Sequence, residues 1–510
     1  MATDERKWLL GFKEQMFVHH QFINEHENVI PDTVPGSPFW TFALLKSQPC
    51  GSAMPNFVGR VARLKWLSSL VSRLLPLVLL LLLTGCSDFI SPVKSTSEPT
   101  EYSFNYWLLQ KVYLYEDELP NLPADGDSVQ VLYQALTDRF TTYTPPSKSE
   151  ERATHINTSL VVGGDIGMRY YTFTSQEHPI FINRVYPQSP AGRAGVPRYG
   201  NIIATNDIEL KGDKAKNIYD SIVDYSESVS ILVAFHNDTT LYKLKKETIY
   251  APTVFVDTLY EDSAKGAPGI VFLTIEGFKP TTADQDSGTY GELKSYLDST
   301  KADKRVRVLD LRGNPGGHVN QCIDMADLFV SKGTLSTRRQ RALDADGETQ
   351  YTTTSIKAKA GDPGESGKYI ILANGASASC AEIFIAAVTE TTDIPFIGSK
   401  TYGKGIGQTN YYTYAGGMAT ITNFEFLTPK GNSYHKIGII PKYNCDAIGE
   451  DCAAQYANKL YGVKVPNQEK SLAKQGHEFV DYNANLEFEV GAIEWADKNT
   501  YLKEFNDLQH

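Results

Sequence analysis

Three short segments carry residue types that can do chemistry together. The first, Val308-Leu309-Asp310-Leu311-Arg312-Gly313-Asn314-Pro315-Gly316-Gly317, is an apolar run ending in a glycine-rich loop. Such a loop lets backbone N–H groups face a developing negative charge without side-chain obstruction. The second, Ala373-Asn374-Gly375-Ala376-Ser377-Ala378-Ser379-Cys380-Ala381-Glu382-Ile383-Phe384, passes from a strand through small residues into a helix. A nucleophile placed there is accessible, and the helix N-terminus favours an oxyanion. The third, Gly398 to Gln408, sets Lys404 between Gly403 and Gly405 with an amide side chain four residues on. A serine hydroxyl is a poor nucleophile until a base takes its proton. Lysine is such a base only when neutral, which burial away from carboxylates promotes. The sequence immediately around Lys404 contains no acid.

Each segment alone has an ordinary structural reading: a glycine-rich strand end, a serine helix cap, a turn with a solvated lysine. A phosphate-binding loop is excluded, because Gly405 and not Ser or Thr follows the lysine. A thiol mechanism, with Cys380 as nucleophile and His318 as base, leaves Lys404 and Gln408 without a role.

Taken jointly, the segments resemble the carboxyl-terminal processing peptidases, or tail-specific proteases, a Ser–Lys family. The family pattern S-A-S-x-x-E-I matches Ser377 to Ile383 and puts the nucleophile at Ser379. Tyr402-Gly403-Lys404-Gly405 matches the lysine motif, and Gln408 falls where the family has its assisting glutamine. Asp310 to Gly317, the turn Thr428 to Gly431 and the stretch Gly438 to Pro441 match further motifs. The resemblance covers about 104–445. It implies a serine endopeptidase that cuts proteins near their C-termini through an acyl-enzyme. Ser379 attacks, Lys404 is the base and Gln408 holds the lysine amine. The backbone N–H groups of Cys380 and of Gly316 or Gly317 form the oxyanion hole. No metal or cofactor is required.

The elements that must position these residues are legible as short apolar runs. Val306 to Leu311 and Tyr369 to Ala373 read as buried strands, each followed by a helical stretch. Ala419 to Tyr443 alternates around a Pro429-Lys430-Gly431-Asn432 turn. Tyr106 to Leu109 and Val129 to Leu136 have helical spacing, as does Leu486 to Phe505 more weakly. Between them, Ile180 to Ile182 and Val229 to Val233 read as strands. Ser189-Pro190-Ala191 starts a helix, Gly195 ends it, and Gly200-Asn201-Ile202-Ile203 opens another strand. This order resembles a PDZ domain, whose loop Gly164 to Met168 presents N–H groups of Ile166, Gly167 and Met168 to a peptide's terminal carboxylate.

The expected fold is α+β and multidomain. It comprises a helical N-terminal unit at 104–158, a PDZ domain at 159–248, and an α/β catalytic core of the ClpP/crotonase-like type at 249–445. A C-terminal extension of open role follows at 446–510. Upstream, basic residues precede the aliphatic run Leu74 to Leu83, and Leu83-Thr84-Gly85-Cys86 follows at once. The order suits a secretory signal, too short to span a bilayer comfortably. It resembles a bacterial lipobox, which implies a signal at 54–86, lipidation of Cys86, a tether at 87–103 and an envelope protein at the outer membrane facing the periplasm. Residues 1–53 read as a leader or a mis-called start, with Met54 a plausible one.

The chain has 510 residues and a formal net charge of −11, which argues against nucleic acid as the main partner. The expected partners are proteins or peptides with free C-termini, and a membrane through Cys86. Of six cysteines, Cys445 and Cys452 are close enough in a loop-like stretch for a local disulfide in an oxidising compartment. No cysteine pair or histidine cluster suggests zinc. A non-catalytic PDZ-containing binding lipoprotein on the same fold is the alternative. Such a protein is expected to lose Ser, Lys or Gln, and all three are present. An acyl hydrolase or transferase acting on substrates other than proteins is a third reading, disfavoured by the PDZ-like segment.

Overall fold

A computed structural model describes residues 99–121, 126, 128–173, 176–343, 349–445, 449–465 and 491–509. The signal, the lipobox Cys86 and most of the tether lie outside the described residues.

Strands Ala267–Ile275, Val306–Asp310, Lys368–Ala373, Phe396–Gly398 and Tyr443–Asn444 lie side by side in parallel, with Val254–Asp262 antiparallel at one edge. Every residue of Val306–Asp310 is buried, as a strand covered on both faces requires. One face meets helices Val319–Asp327 and Cys380–Thr391 through Leu309, Leu311, Ile371, Cys322, Ile323 and Phe384. The other face meets Cys452, Ala453 and Ala457 of helix Gly449–Tyr461, which pack on Val306, Val308 and Ile370. Parallel strands share one carboxyl end. There the chain leaves Val306–Asp310, Lys368–Ala373 and Phe396–Gly398 into the three motif loops, the location at which such sheets ordinarily bind ligands.

A second sheet runs in the order Gly317–His318, Ala492–Trp495, Ile406–Tyr412, Met418–Leu427, Thr334–Leu343, Thr349–Lys357. It carries Gln408, with Lys404 just before its Ile406 strand. A third sheet comprises Met168–Thr172, Ile180–Val185, Asn201–Thr205, Ser228–Phe235 and Asp238–Lys245, with Ile208–Glu209 paired to its middle strand. Its core is separate, built on Ile180, Ile182, Ile202, Ile231 and Val233 with Tyr219 of helix Ala215–Tyr225. Ser189 Oγ accepts from Gly192 N–H at 3.1 Å and so caps helix Pro190–Arg193, and Gly195 takes a positive φ of 74° beyond it.

The expected units at the two ends of the mature chain pack into the body. The N-terminal helices are not free-standing: Phe104, Leu108 and Tyr133 share one core with Tyr411, Ala419 and Ile421, and strand Thr142–Thr144 pairs with Met418–Leu427. Of residues 446–510, the described stretches 449–465 and 491–509 also pack on the body. Helix Gly449–Tyr461 covers a sheet face, and Cys445 and Cys452 are joined by a disulfide. The weak helical period expected over Leu486 to Phe505 resolves into strand Ala492–Trp495 and helix Thr500–Gln509, with 486–490 outside the described residues. Phe505 of that helix meets Phe104 edge-on at 5.3 Å.

A chain ending at Cys445 therefore uncovers Val306, Val308 and Ile370. Each exposed side chain costs about 1.5–3 kcal/mol, so Tm should fall by about 10 °C or more. A thermal melt followed by circular dichroism checks this, and an unchanged Tm would show that the segment adds nothing to stability.

Candidate active site

Backbone hydrogen bonds tie the three motif loops together. In the first loop, Asp310 holds the Arg312 guanidinium at 2.9 and 2.6 Å, and Arg312 also reaches Glu450. Asn314 Nδ2 donates to the Ile275 carbonyl at 2.9 Å, and its own carbonyl accepts from Ala378 N–H of the second loop at 2.9 Å. Ser377 Oγ donates to the Leu311 carbonyl at 2.8 Å, while the Ser377 carbonyl accepts from Tyr402 N–H of the third loop at 3.0 Å.

Glu382, the third residue of helix Cys380–Thr391, completes the connection. Its Oε2 accepts from Ser379 N–H at 2.8 Å and Lys404 N–H at 2.7 Å. Its Oε1 accepts from Gly403 N–H at 2.6 Å and from the Thr401 hydroxyl. Burial raises the Glu382 carboxyl above its usual range, and these donors only oppose that rise. Every partner donates, which is the pattern an ionised carboxylate satisfies. The S-x-x-E spacing of a capping box was the signal for the positioning role of Glu382.

Ser379 is held at φ 59°, a conformation L residues seldom adopt, on a sharp turn into its helix. Lys404 is buried, and its Nζ donates to Gln408 Oε1 at 2.7 Å. Gln408 Nε2 in turn donates to Thr422 Oγ1 at 2.9 Å, which fixes the amide orientation. The Lys404 Nζ also lies 4.3 Å from the centre of the Phe140 ring. Burial lowers the lysine pKa to about 7, against Asp138 and Glu382, which raise it. The acid-free surroundings read from the local sequence thus do not hold in space. Desolvation nevertheless outweighs both carboxylates. Phe140 had no sequence signal, being far from Lys404 along the chain.

The oxyanion residues divide. Gly316 N–H is committed to Asn314 Oδ1 at 2.9 Å, so it is not available as a donor. Its contribution is steric, since an added Cβ would stand 3.0 Å from Cys380 N and from Ser379 Cβ. Gly317 N–H points to the Gly491 carbonyl at 3.2 Å. Cys380 N–H, at the first helical position, has no i−4 carbonyl to bond. The Cys380 sulfur is in a disulfide with Cys322 of helix Val319–Asp327, a pairing with no local sequence signal across 58 residues. This removes Cys380 as a nucleophile. Burial also lowers the His318 pKa to about 4.

The expected carboxylate-binding loop is closed from within. Asp165 Oδ1 accepts from Ile166 N–H at 2.6 Å and Gly167 N–H at 3.0 Å. Ile166 is buried, and Met168 is paired with Val185. Among the described residues no group of three or more His, Cys, Asp or Glu side chains is arranged to hold a metal ion.

Two outcomes follow. Glu382→Ala leaves buried donors unsatisfied at about 1–3 kcal/mol each, and should lower Tm together with any catalytic rate. Glu382→Gln is milder, replacing one acceptor by a donor, and should lower kcat by about 10²-fold through misplacement of Ser379 and Lys404. Paired melts and single-turnover rates check both. Only a neutral amine accepts a proton, so with Lys404 in the expected role of base, activity should rise with pH through about 7 and fall about tenfold per unit below it. A pH–kcat/KM profile flat from pH 5 to 8 would remove Lys404 from the role.

Residues 269–445 match peptidase family S41. A protein of Staphylococcus aureus (strain COL) named "Probable CtpA-like serine protease" is 29% identical over 331 residues, covering 62% of this chain and 62% of that protein. This chain therefore spans less than two thirds of that relative's length. The "Carboxy-terminal processing protease CtpA" of Bacillus subtilis (strain 168) is 25% identical over 392 residues, covering 74% of this chain and 76% of its own. Among solved structures, a photosystem II D1 C-terminal processing protease aligns over 68% of this chain and 93% of its own, with 20% identity and a TM-score of 0.39. The S41 match lies over the three tied loops, and this chain carries an S41 peptidase domain similar to that of the C-terminal processing proteases.

Proposed function

We propose that this chain is a serine endopeptidase that cleaves proteins near their C-termini by Ser–Lys chemistry. The observation that carries the reading is Lys404: a buried amine, held by Gln408, with a pKa of about 7, on a loop clamped to the Ser379 turn. In the reaction, Ser379 Oγ–H gives its proton to neutral Lys404 Nζ as Oγ attacks the scissile carbonyl carbon. The N–H groups of Gly317 and Cys380 receive the oxyanion, each such donor being worth about 10²–10³ in rate. The lysine then passes the proton to the leaving amine, the C–N bond breaks, and an ester to Ser379 remains. Water, deprotonated by the same lysine, releases the product carboxylate and restores the hydroxyl.

The third sheet is assigned as a PDZ domain over 159–248 that captures substrate tails by strand addition. Its edge strand Met168–Thr172 pairs on one side only, which supports this reading. Lipidation at Cys86 would tether the body to a membrane, with the periplasmic face of the outer membrane as the proposed site.

The test is cleavage of an unfolded protein with an apolar C-terminus. Ser379→Ala and Lys404→Ala should each abolish it, and Gln408→Ala should reduce kcat by about 10-fold or more while leaving KM little changed. Survival of activity in Ser379→Ala would sink the nucleophile assignment. A chain that binds the tail but never cuts it would favour the binding-protein reading.

A further inference from the structure

Ser379 is the proposed nucleophile, yet it is 0% exposed, and Lys404 and Gln408 are each 2% exposed. What covers them is the chain's own late segment. Ala492 N–H donates to Ser379 Oγ at 2.6 Å. The Gly491 carbonyl takes the Gly317 N–H, one of the two oxyanion donors. Gly491 lies against the lysine so closely that an added Cβ would fall 1.5 Å from Lys404 Nζ. Among the described residues, Ser379 Oγ and Lys404 Nζ share no hydrogen bond; Ser379 Oγ accepts from Ala492 N–H, and Lys404 Nζ donates to Gln408 Oε1. In this contact the backbone N–H of Ala492 faces the hydroxyl.

The segment is held as a strand. Ala492–Trp495 pairs in parallel with Gly317–His318 on one side and with Gly407 to Asn410 on the other. Without it, both strands present an unpaired edge, separated by one strand's width, directly at Ser379. Such a slot accepts any extended backbone, since the main chain supplies the hydrogen bonds. Small side chains are favoured at its entrance: Gly491 has no room for one, and Ala492 is fully buried.

We propose that Gly491–Trp495 occupies the substrate's strand position and holds the protein latent, and that an extended peptide binds by taking its place between Gly317–His318 and Ile406–Asn410. This rests on the peptidase reading above. The occupant is anchored beyond the slot. Trp495 Nε1 donates to Asn157 Oδ1 at 2.8 Å, the Trp495 ring lies 5.4 Å from that of Tyr412, and Glu494 pairs with Arg338. Ile493 is buried with Ile156 and Met418. The open state is therefore a minor one, and apparent substrate affinity is reduced by its small population.

The test uses the full chain and two substitutions. Gly491→Val puts a branched side chain where the lysine amine stands, so the strand cannot reseat. Trp495→Ala loosens the same strand from outside the site and keeps the comparison if the first variant unfolds. The readouts are labelling of Ser379 by a fluorophosphonate, cleavage of an unfolded protein substrate, and hydrogen exchange of amides 492–495. Labelling and cleavage should rise about tenfold or more over the unsubstituted chain as those amides lose protection, with Ser379→Ala abolishing the label. If the unsubstituted chain labels and cleaves as fast as both variants, the inference falls and the peptidase reading stands. Rapid labelling with amides 492–495 still protected overturns it equally. If those amides open and no chain labels or cleaves, the inference and the peptidase reading fall together.

Discussion

The Glu382 carboxylate is the constraint on which the site depends. It is buried, so its charge must be matched by donors or be neutralised. The donors it takes come from the Ser379 turn and from the Lys404 loop. One side chain thereby fixes the separation of two residues that the chain delivers from different strand ends. It also helps hold Ser379 at its positive φ, since the N–H of that residue is among the donors. The carboxylate raises the Lys404 pKa at the same time, so the site needs strong desolvation to keep the amine near neutrality. Phe140 and the cover over the lysine supply it.

The parallel sheet supplies the second level of order. Three neighbouring strands end at one edge, and their loops are cross-tied through Asn314 and Ser377 before any substrate arrives. Preorganisation of this kind moves the cost of alignment from the reaction to folding. Peptidase chemistry on this scaffold is thus a proposal about a rigid constellation rather than about a flexible loop.

Much of this was legible in the sequence where the signal is local. The strands around Val308 and Ile370 are short apolar runs, and the Ser189-Pro190 start and Gly195 end of a helix are matters of backbone chemistry. The Lys404–Gln408 contact spans four residues and was legible for the same reason. What failed was non-local. Phe140, Asp138 and Gly491 reach the lysine from opposite ends of the chain, and no spacing rule links them to it. Gly316 was misjudged because its N–H finds Asn314, two residues away, inside a loop whose turn geometry the glycine pattern does not specify. The polar composition of 446–510 leaves its role open in sequence, and the small-residue face with which helix Gly449–Tyr461 covers a sheet has no strong apolar signal.

The contact between Phe104 and Phe505 joins the first described helix to the last. Residues so distant in sequence make contact only after nearly the whole chain has left the ribosome, and long-range closure of this kind is slow. The first helix must wait, with an apolar face uncovered, for a partner synthesised last. The third sheet, with its separate core, is under no such constraint and can close while the first helix is still waiting.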